Sequence, residues 1–307
     1  MSASTLLPYL THWLRAWRLP AQLNLIFPVL LGLLLFAPCG TPLADLPLGH
    51  ALLLSFLLQW VIMTSNESAD AATDDVHART LISGGAGVGA DGSLSARALR
   101  LGALAGGALG LILSAVLGGI AVALAWLAAL LLIWAYDGPL RLSRHPLGAW
   151  CQAVGVGIVM PLLIGWLVKP WGSPSPADAA LGLLLGLSGH ILTALPDLDH
   201  DRRVRKVTVA VWLGARGAQG LMLGGFALAA GLLALRLPST PCGAPHGPLP
   251  ATNQALLLTA ASLLILAGLP GAWAHRTLAG LPRHIWLTAA ASILLWTAWL
   301  LQLHPWP

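Results

Sequence analysis

The chain has 307 residues, of which 57% are apolar and only 9% are charged, with a net charge of +5. A soluble domain carries about 25% charged residues, so this balance excludes an ordinary soluble enzyme. The basic residues sit in short segments between apolar runs, the pattern of orientation signals and anionic-lipid contacts, which excludes a nucleic-acid partner.

Residues 1–20 read as an amphipathic helix lying in the membrane interface. Leu6, Leu7, Leu10, Trp13, Leu14 and Trp17 recur at helical spacing, while His12, Arg15 and Arg18 fall elsewhere. No cleavable signal peptide is expected. Apolar runs then recur to the C-terminus and predict nine transmembrane helices, near 21–37, 49–65, 98–116, 118–136, 148–168, 178–196, 208–235, 254–273 and 284–303. Backbone groups in lipid need internal partners, so helices are expected, and the alternation of a membrane barrel is absent. The third and fourth runs meet at the short turn LGG (117–119). The fold class expected is therefore all-α: a polytopic helical bundle forming a single domain over 1–307.

A cytoplasmic N-terminus places 14 of the 16 Lys and Arg on the inside, leaving Lys169 and Arg236 outside. This bias supports both the span count and the orientation. The three cysteines, Cys39, Cys151 and Cys242, form no CxxC pair, which argues against a metal–thiolate site. Cys39 and Cys242 fall on loops of the same outer side, where a disulfide between them is feasible. The outer loop 238–250 is rich in Pro and Gly and offers no catalytic chemistry. Trp166, Trp171, Trp286 and Trp306 lie near span ends and read as interfacial anchors.

The chemistry is concentrated in two acidic clusters. The second run ends in NESADAATDD (66–75) and the sixth in PDLDHD (196–201). Together they hold seven of the eleven acidic residues. Asn66, Asp70 and Asp74 are four apart and share a helix face, with Glu67 on its flank. Asp197 and Asp201 are likewise four apart, with Asp199 pointing away. An even number of crossings separates the clusters, so both open on the cytoplasmic side. Two carboxylates about 6 Å apart repel by about 3 kcal/mol at an effective dielectric near 20. Facing clusters therefore call for cations between them. All-oxygen ligands suit Mg²⁺ better than Zn²⁺, and Mg²⁺ shares its shell with phosphates. The expected guest is a Mg²⁺-bound diphosphate with an apolar remainder. Arg79, Arg202, Arg203, Arg205 and Lys206 lie just beyond the carboxylates, and Arg79 and Lys206 are the foremost candidates for phosphate oxygens.

These residues resemble the UbiA superfamily of intramembrane prenyltransferases, whose members carry NDxxDxxxD at one helix end and DxxxD at another within a nine-helix bundle. Here the motifs are Asn66-Glu67-x-x-Asp70-x-x-x-Asp74 and Asp197-x-x-x-Asp201. RTLISGG (79–85), AYDGPLRL (135–142) and the alignment of Lys206, Thr208 and Gly214 extend the likeness over roughly residues 15–300. Glu67 stands where Asp is usual, Arg205 where Gly is common, Asp137 and Gly138 replace the usual residues after Tyr136, and Thr193 stands where several members carry Asn. The resemblance implies Mg²⁺, two ions, held by Asn66, Glu67, Asp70, Asp74, Asp197 and Asp201. Asn66, Arg79, Lys206, Arg202 and Tyr136 would bind diphosphate, and Asp70, Asp74, Asp197 and Asp201 are the catalytic set. Segments 66–97 and 197–208 would form cytoplasmic cap loops over a central apolar chamber. An allylic carbocation would form there, away from water, and be captured by an acceptor, often an electron-rich aromatic ring.

The donor expected is thus a prenyl diphosphate, and the acceptor a lipophilic or aromatic quinone-type precursor. The lipid bilayer is the surroundings, and no protein partner is predicted. Tyr136 could stabilise a cation through its ring face, and His77, His190 and His200 are candidates to accept a proton. The Gly-rich stretch 83–92 follows no strand, so a dinucleotide fingerprint is rejected. A terpene cyclase of the same superfamily, acting on the diphosphate alone, needs the same metal site. A cation-coupled transporter would place its acids near mid-span and show inverted repeats; here the acids lie at span ends on one side.

Overall fold

The computed structural model describes residues 3–18, 23–74, 85–235, 250–269 and 281–303. Among these, eleven α-helices run in chain order: α1 (Ala3–Trp17), α2 (Leu23–Phe36), α3 (Leu48–Asp70), α4 (Ala96–Asp137), α5 (Leu147–Val154), α6 (Met160–Gly165), α7 (Pro176–Ala194), α8 (Leu198–Arg203), α9 (Val209–Ala234), α10 (Ala251–Gly268) and α11 (Arg283–Leu303). Seven stretches are long and apolar enough to cross a membrane, α5 and α6 counting as one through Leu147–Gly165 and α7 with α8 as another through Pro176–Arg203. The apolar helix α2 is shorter. The chain is an integral, multi-pass, all-helical membrane protein.

The 42 residues of α4 are two limbs. Gly119 breaks the helix with φ 68°, a left-handed value that side chains resist. The limbs fold back on each other. Trp126, fully buried, donates its Nε1 to the carbonyl of Gly107 at 2.9 Å. A Cβ on Gly110 would overlap the Trp126 indole ring. Small residues on one limb thus admit a large ring from the other, as close helix packing in lipid requires. Outside, Leu101, Leu104, Ile112, Val116, Ile120 and Leu131 remain exposed, an apolar exterior fit for lipid.

Similar economy holds elsewhere. A π-helical turn over Gly155–Val159 joins α5 to α6, and Gly157 there packs against the backbone of Gly182 on α7. The hydroxyl of Ser175 caps α7 by accepting from the Asp178 amide, and Asp178 bonds back to the Ser175 amide, with Pro176 at the first turn. Helix α7 stops at Ala194 because Pro196 has no amide hydrogen for the ladder. A 3₁₀ turn over Leu195–Asp197 and the short α8 follow. Helix α9 is interrupted at Gly214, inside what the sequence reads as one span.

Helix α1 lies against the end of the bundle that carries the acidic motifs. Trp13 stacks on Trp60 at 5.2 Å between ring centres, and the Trp17 Nε1 donates to the carbonyl of Phe56 at 3.2 Å. Leu7, Leu10 and Leu14 stay exposed. Helix α1 therefore anchors through its tryptophans and offers its leucines outward. At the opposite face, before α3, Cys39 is disulfide-bonded. Cys151 is free, and Cys242 lies outside the described residues.

Candidate active site

Four segments end at one face: the C-terminus of α3, the end of α4 with the turn after it, the α7–α8 junction, and residues 204–208 before α9. Helix α3 ends at Asp70, and the turn after it carries Asp74, whose amide donates to the Asp70 carbonyl at 2.9 Å. The four-residue spacing thus survives the end of the helix, since the turn keeps a helical hydrogen bond.

The centre of the cluster is Asp70, only 6% exposed. The Lys206 Nζ donates to Asp70 Oδ2 at 2.9 Å, with both side chains nearly buried. The Arg144 Nη2 stands 3.9 Å from Asp70 Oδ1 and donates to the Thr73 hydroxyl at 3.2 Å. Asp201 is equally buried. Its Oδ2 accepts from the Thr208 hydroxyl at 3.1 Å, and its carbonyl accepts from the Lys206 amide at 2.9 Å. Thr208 also caps α9 by accepting from the Val211 amide. One short turn therefore carries Lys206 to the first motif while gripping the second.

Electrostatics follow from this closeness. Burial alone would lower the Lys206 ammonium below its usual range. The carboxylates of Asp70, Asp201 and Asp74 outweigh that and raise it. Burial, reinforced by the charge of Asp70, pushes Asp74 up to about 7. Asp197, half-buried, also bears on Asp74 and Asp201, so both motifs share one electrostatic neighbourhood.

Other sequence candidates take varied places. The Asn66 Nδ2 donates to Asp137 Oδ1 at 3.4 Å, and Ser65 also bonds Asp137. Tyr136 bonds Gln152 and meets the His190 ring edge-on at 6.4 Å. Glu67, expected among the metal ligands, is 2% exposed and accepts from the amides of Ala86 and Gly87. Arg202 pairs with Asp199 at 3.5 Å on the exposed side, where the Asp199 side chain is 90% exposed. Arg79, Asp75 and His77 lie outside the described residues. Asp137, noted only as a departure from the family pattern, and Arg144 were not among the site residues expected from the sequence. Their signal was a lone acid and a base closing the helix end AYDGPLRLSR (135–144) on the same face.

Among the described residues no three His, Cys, Asp or Glu side chains already converge as a metal-holding group. Asp70 instead pairs with Lys206, and Asp201 accepts from Thr208. The donor chemistry nonetheless fits a hard cation. Asp70, Asp74, Asp197 and Asp201 offer only oxygens, and an internal cation, the Lys206 ammonium, already sits among them.

A model of the UbiA prenyltransferase family matches residues 25–276. No curated protein matches the chain. Among solved structures, a UbiA homolog from Archaeoglobus fulgidus bound to GPP and Mg²⁺ is 20% identical with a TM-score of 0.66, covering 94% of this chain and 97% of that one. The same protein bound to DMAPP and Mg²⁺ gives 18% and 0.66, covering 93% and 96%. The apo UbiA homolog from Aeropyrum pernix K1 gives 20% and 0.62, covering 91% and 96%.

Proposed function

The chain belongs to the UbiA prenyltransferase family, and from that premise we propose that it transfers a prenyl group from a prenyl diphosphate to an aromatic, quinone-type acceptor. Mg²⁺ would be held by Asp70, Asp74, Asp197 and Asp201. The observation that carries this reading is Lys206, which bonds Asp70 of one motif while its own turn grips Asp201 of the other. The two motifs thus act as one site, with a buried cation available to a diphosphate. The structures of the Archaeoglobus homolog, bound to GPP or DMAPP with Mg²⁺, support the same pairing of donor and metal.

When bound, Mg²⁺ supplies charge stabilisation to the departing diphosphate. The chain's own groups do the rest. Lys206 and Arg144 are placed to donate to phosphate oxygens as negative charge builds there, and Arg79 would join them. The allylic C–O bond breaks, leaving a carbocation on the prenyl chain and diphosphate at the cations. A ring carbon of the acceptor then bonds to the prenyl carbon, and the ring regains its aromaticity by passing its proton to the released diphosphate. Apolar walls keep water from the carbocation. Tyr136 and His190, edge to ring beside the cluster, are suited to face it, since the tyrosine ring attracts cations.

The proposal includes sidedness. The site opens to the cytoplasm, with α1 on that surface, supported by the distribution of Lys and Arg. The disulfide-bonded Cys39 at the opposite face suits an oxidising compartment there. Counting α4 as two limbs and α2 as a crossing gives nine spans.

The test is turnover by purified protein in lipid, supplied with Mg²⁺ and labelled prenyl diphosphates, with and without a panel of aromatic acceptors. Prenylated acceptor and diphosphate release that require Mg²⁺ are expected. Release without any acceptor, with a cyclic hydrocarbon or alcohol as product, would replace transfer by cyclisation. No Mg²⁺-dependent release from any donor would overturn the reading.

A further inference from the structure

Glu67 sits inside the first acidic motif, and its carboxylate lies against the loop at Gly85, next to that of Asp74. Its Oε1 accepts from two successive backbone amides, Ala86 and Gly87, the latter at 3.0 Å. Gly85, just before them, and Gly87 itself take φ of 63° and 64°. Alternating left-handed residues aim successive amides at one point and form an anion-holding concavity. The anion here is the protein's own carboxylate. The fit is close: a Cβ on Gly85 would stand 2.6 Å from Glu67 Oε1 and 3.0 Å from Asp74 Oδ2. Gly89 packs against Ala71 and the Glu67 carbonyl, where a Cβ would come within 2.9 Å of each.

The segment then continues to a second fastening. Asp91 accepts from the Arg15 Nη2 at 2.8 Å, which ties the same loop to α1. Residues 85–91 are therefore held at one end by the acidic motif and at the other by the interfacial helix.

We infer that Glu67 is a positioning residue that clasps loop 85–91 against the end of α3 and does not ligate metal. Side-chain length explains the residue type. An Asp at 67 would bring its carboxylate about 1.5 Å less far, one carbon–carbon bond, and would lose the shared reach to both amides. The bonds are charge-assisted, the stronger class of backbone contact. The remaining oxygen, Oε2, is buried without a hydrogen-bond partner, so the clasp rests on Oε1 alone. A Gln can reproduce that contact through its carbonyl oxygen.

Length and charge thus make opposite demands, which separates the two roles. The experiment compares the full chain with Glu67→Gln and Glu67→Asp in lipid nanodiscs, by hydrogen exchange of peptides covering 85–91 and by the Mg²⁺ concentration giving half-maximal turnover. In the parent protein the 86 and 87 amides are expected to be protected. Glu67→Gln keeps that protection, with Mg²⁺ half-saturation within about 3-fold of the parent. Glu67→Asp speeds exchange there by about 10-fold or more and raises the diphosphate KM, leaving Mg²⁺ half-saturation unchanged. A Gln variant that weakens Mg²⁺ by about 10-fold or more while the Asp variant retains it would make Glu67 a ligand and overturn the inference. Unprotected 86 and 87 amides in the parent would overturn it as well. The turnover readout rests on the prenyl-transfer reading, whereas the exchange readout does not, so the two can fail separately.

Discussion

Lys206 and Asp70 meet at 2.9 Å although 136 residues separate them in the chain. The ammonium belongs to the turn after the second acidic motif and the carboxylate to the first. Breaking a buried pair by removing one partner costs about 3–5 kcal/mol, because the other charge stays buried and uncompensated. Lys206→Met, which keeps the apolar stem, is expected to lower the metal-free melting temperature and to cut kcat/KM by about 100-fold or more. Added Mg²⁺ should recover part of the lost stability, since it offers Asp70 another cation. Thermal unfolding in detergent with and without Mg²⁺ checks this; equal losses in both conditions would refute it.

Asp70→Ala and Asp201→Ala should each reduce kcat/KM by about 1,000-fold or more. Both carboxylates are buried beside Lys206. Asp199→Ala should stay within about 3-fold, because its exposed pair with Arg202 belongs to a class of little energetic worth. Steady-state kinetics on proteins of matched elution profile separates the cases. An Asp199 variant as impaired as the Asp201 variant would show that the far side of α8 also takes part.

The pH response follows from Asp74, raised to about 7 by burial and then by Asp70. Its folded-state pKa lies above the ordinary carboxylate value of 3.8, so the folded protein binds the proton more tightly than the unfolded chain. The associated stability is full below the ordinary value and is lost as pH rises through about 7. The metal-free protein should therefore melt at lower temperature at about pH 8 than at about pH 6. Mg²⁺ prefers the ionised carboxylate, so its half-saturation should tighten over the same window, by up to about 10-fold per unit, and level off above it. Titration of the melting temperature at several pH values tests both trends, and Mg²⁺ affinity that is flat across the window would remove Asp74 from the site.

Gly110→Ala probes the hairpin. The added methyl would overlap the buried Trp126 ring, and overpacking of this kind costs about 1–3 kcal/mol. A lower melting temperature with an unchanged Mg²⁺ requirement is expected. Restoration by Trp126→Phe, which removes part of the ring, would confirm the contact; no change in melting temperature with Gly110→Ala would contradict it.

The sequence displays much of this through periodicity. Four-residue steps place Asp70 with Asn66 and Asp201 with Asp197, and apolar runs of membrane length mark the helices. What it hides depends on closure in three dimensions. Nothing local says that Arg144 reaches Asp70 and Thr73, or that Asp137 takes the Asn66 amide, because those partners are 71 or more residues apart. The loop contact of Glu67 is hidden for a related reason. Its neighbours in sequence are site residues, but the next position on a helix points about 100° away, and from there its carboxylate reaches the Ala86 and Gly87 amides while staying next to Asp74. Pro196 likewise turns the smooth end of the sixth run into a 3₁₀ turn and a separate short helix, which spacing alone does not reveal.

The hairpin of α4 has a consequence for biogenesis. Residues 101–136 carry no charged side chain at all, and the limbs meet at Gly119 with no hydrophilic connector. No Lys or Arg at the corner can signal which side it belongs to. The backbone bonds are satisfied within each limb, but the Trp126 indole N–H finds its acceptor, the Gly107 carbonyl, only when both limbs are present. The two limbs are therefore expected to enter the bilayer as one unit, oriented by the arginines at 97 and 100 in the first two turns of the first limb and at 141 and 144 after the second. In the orientation proposed above, the corner that closes the hairpin is passive cargo, carried across by the charges that stay behind.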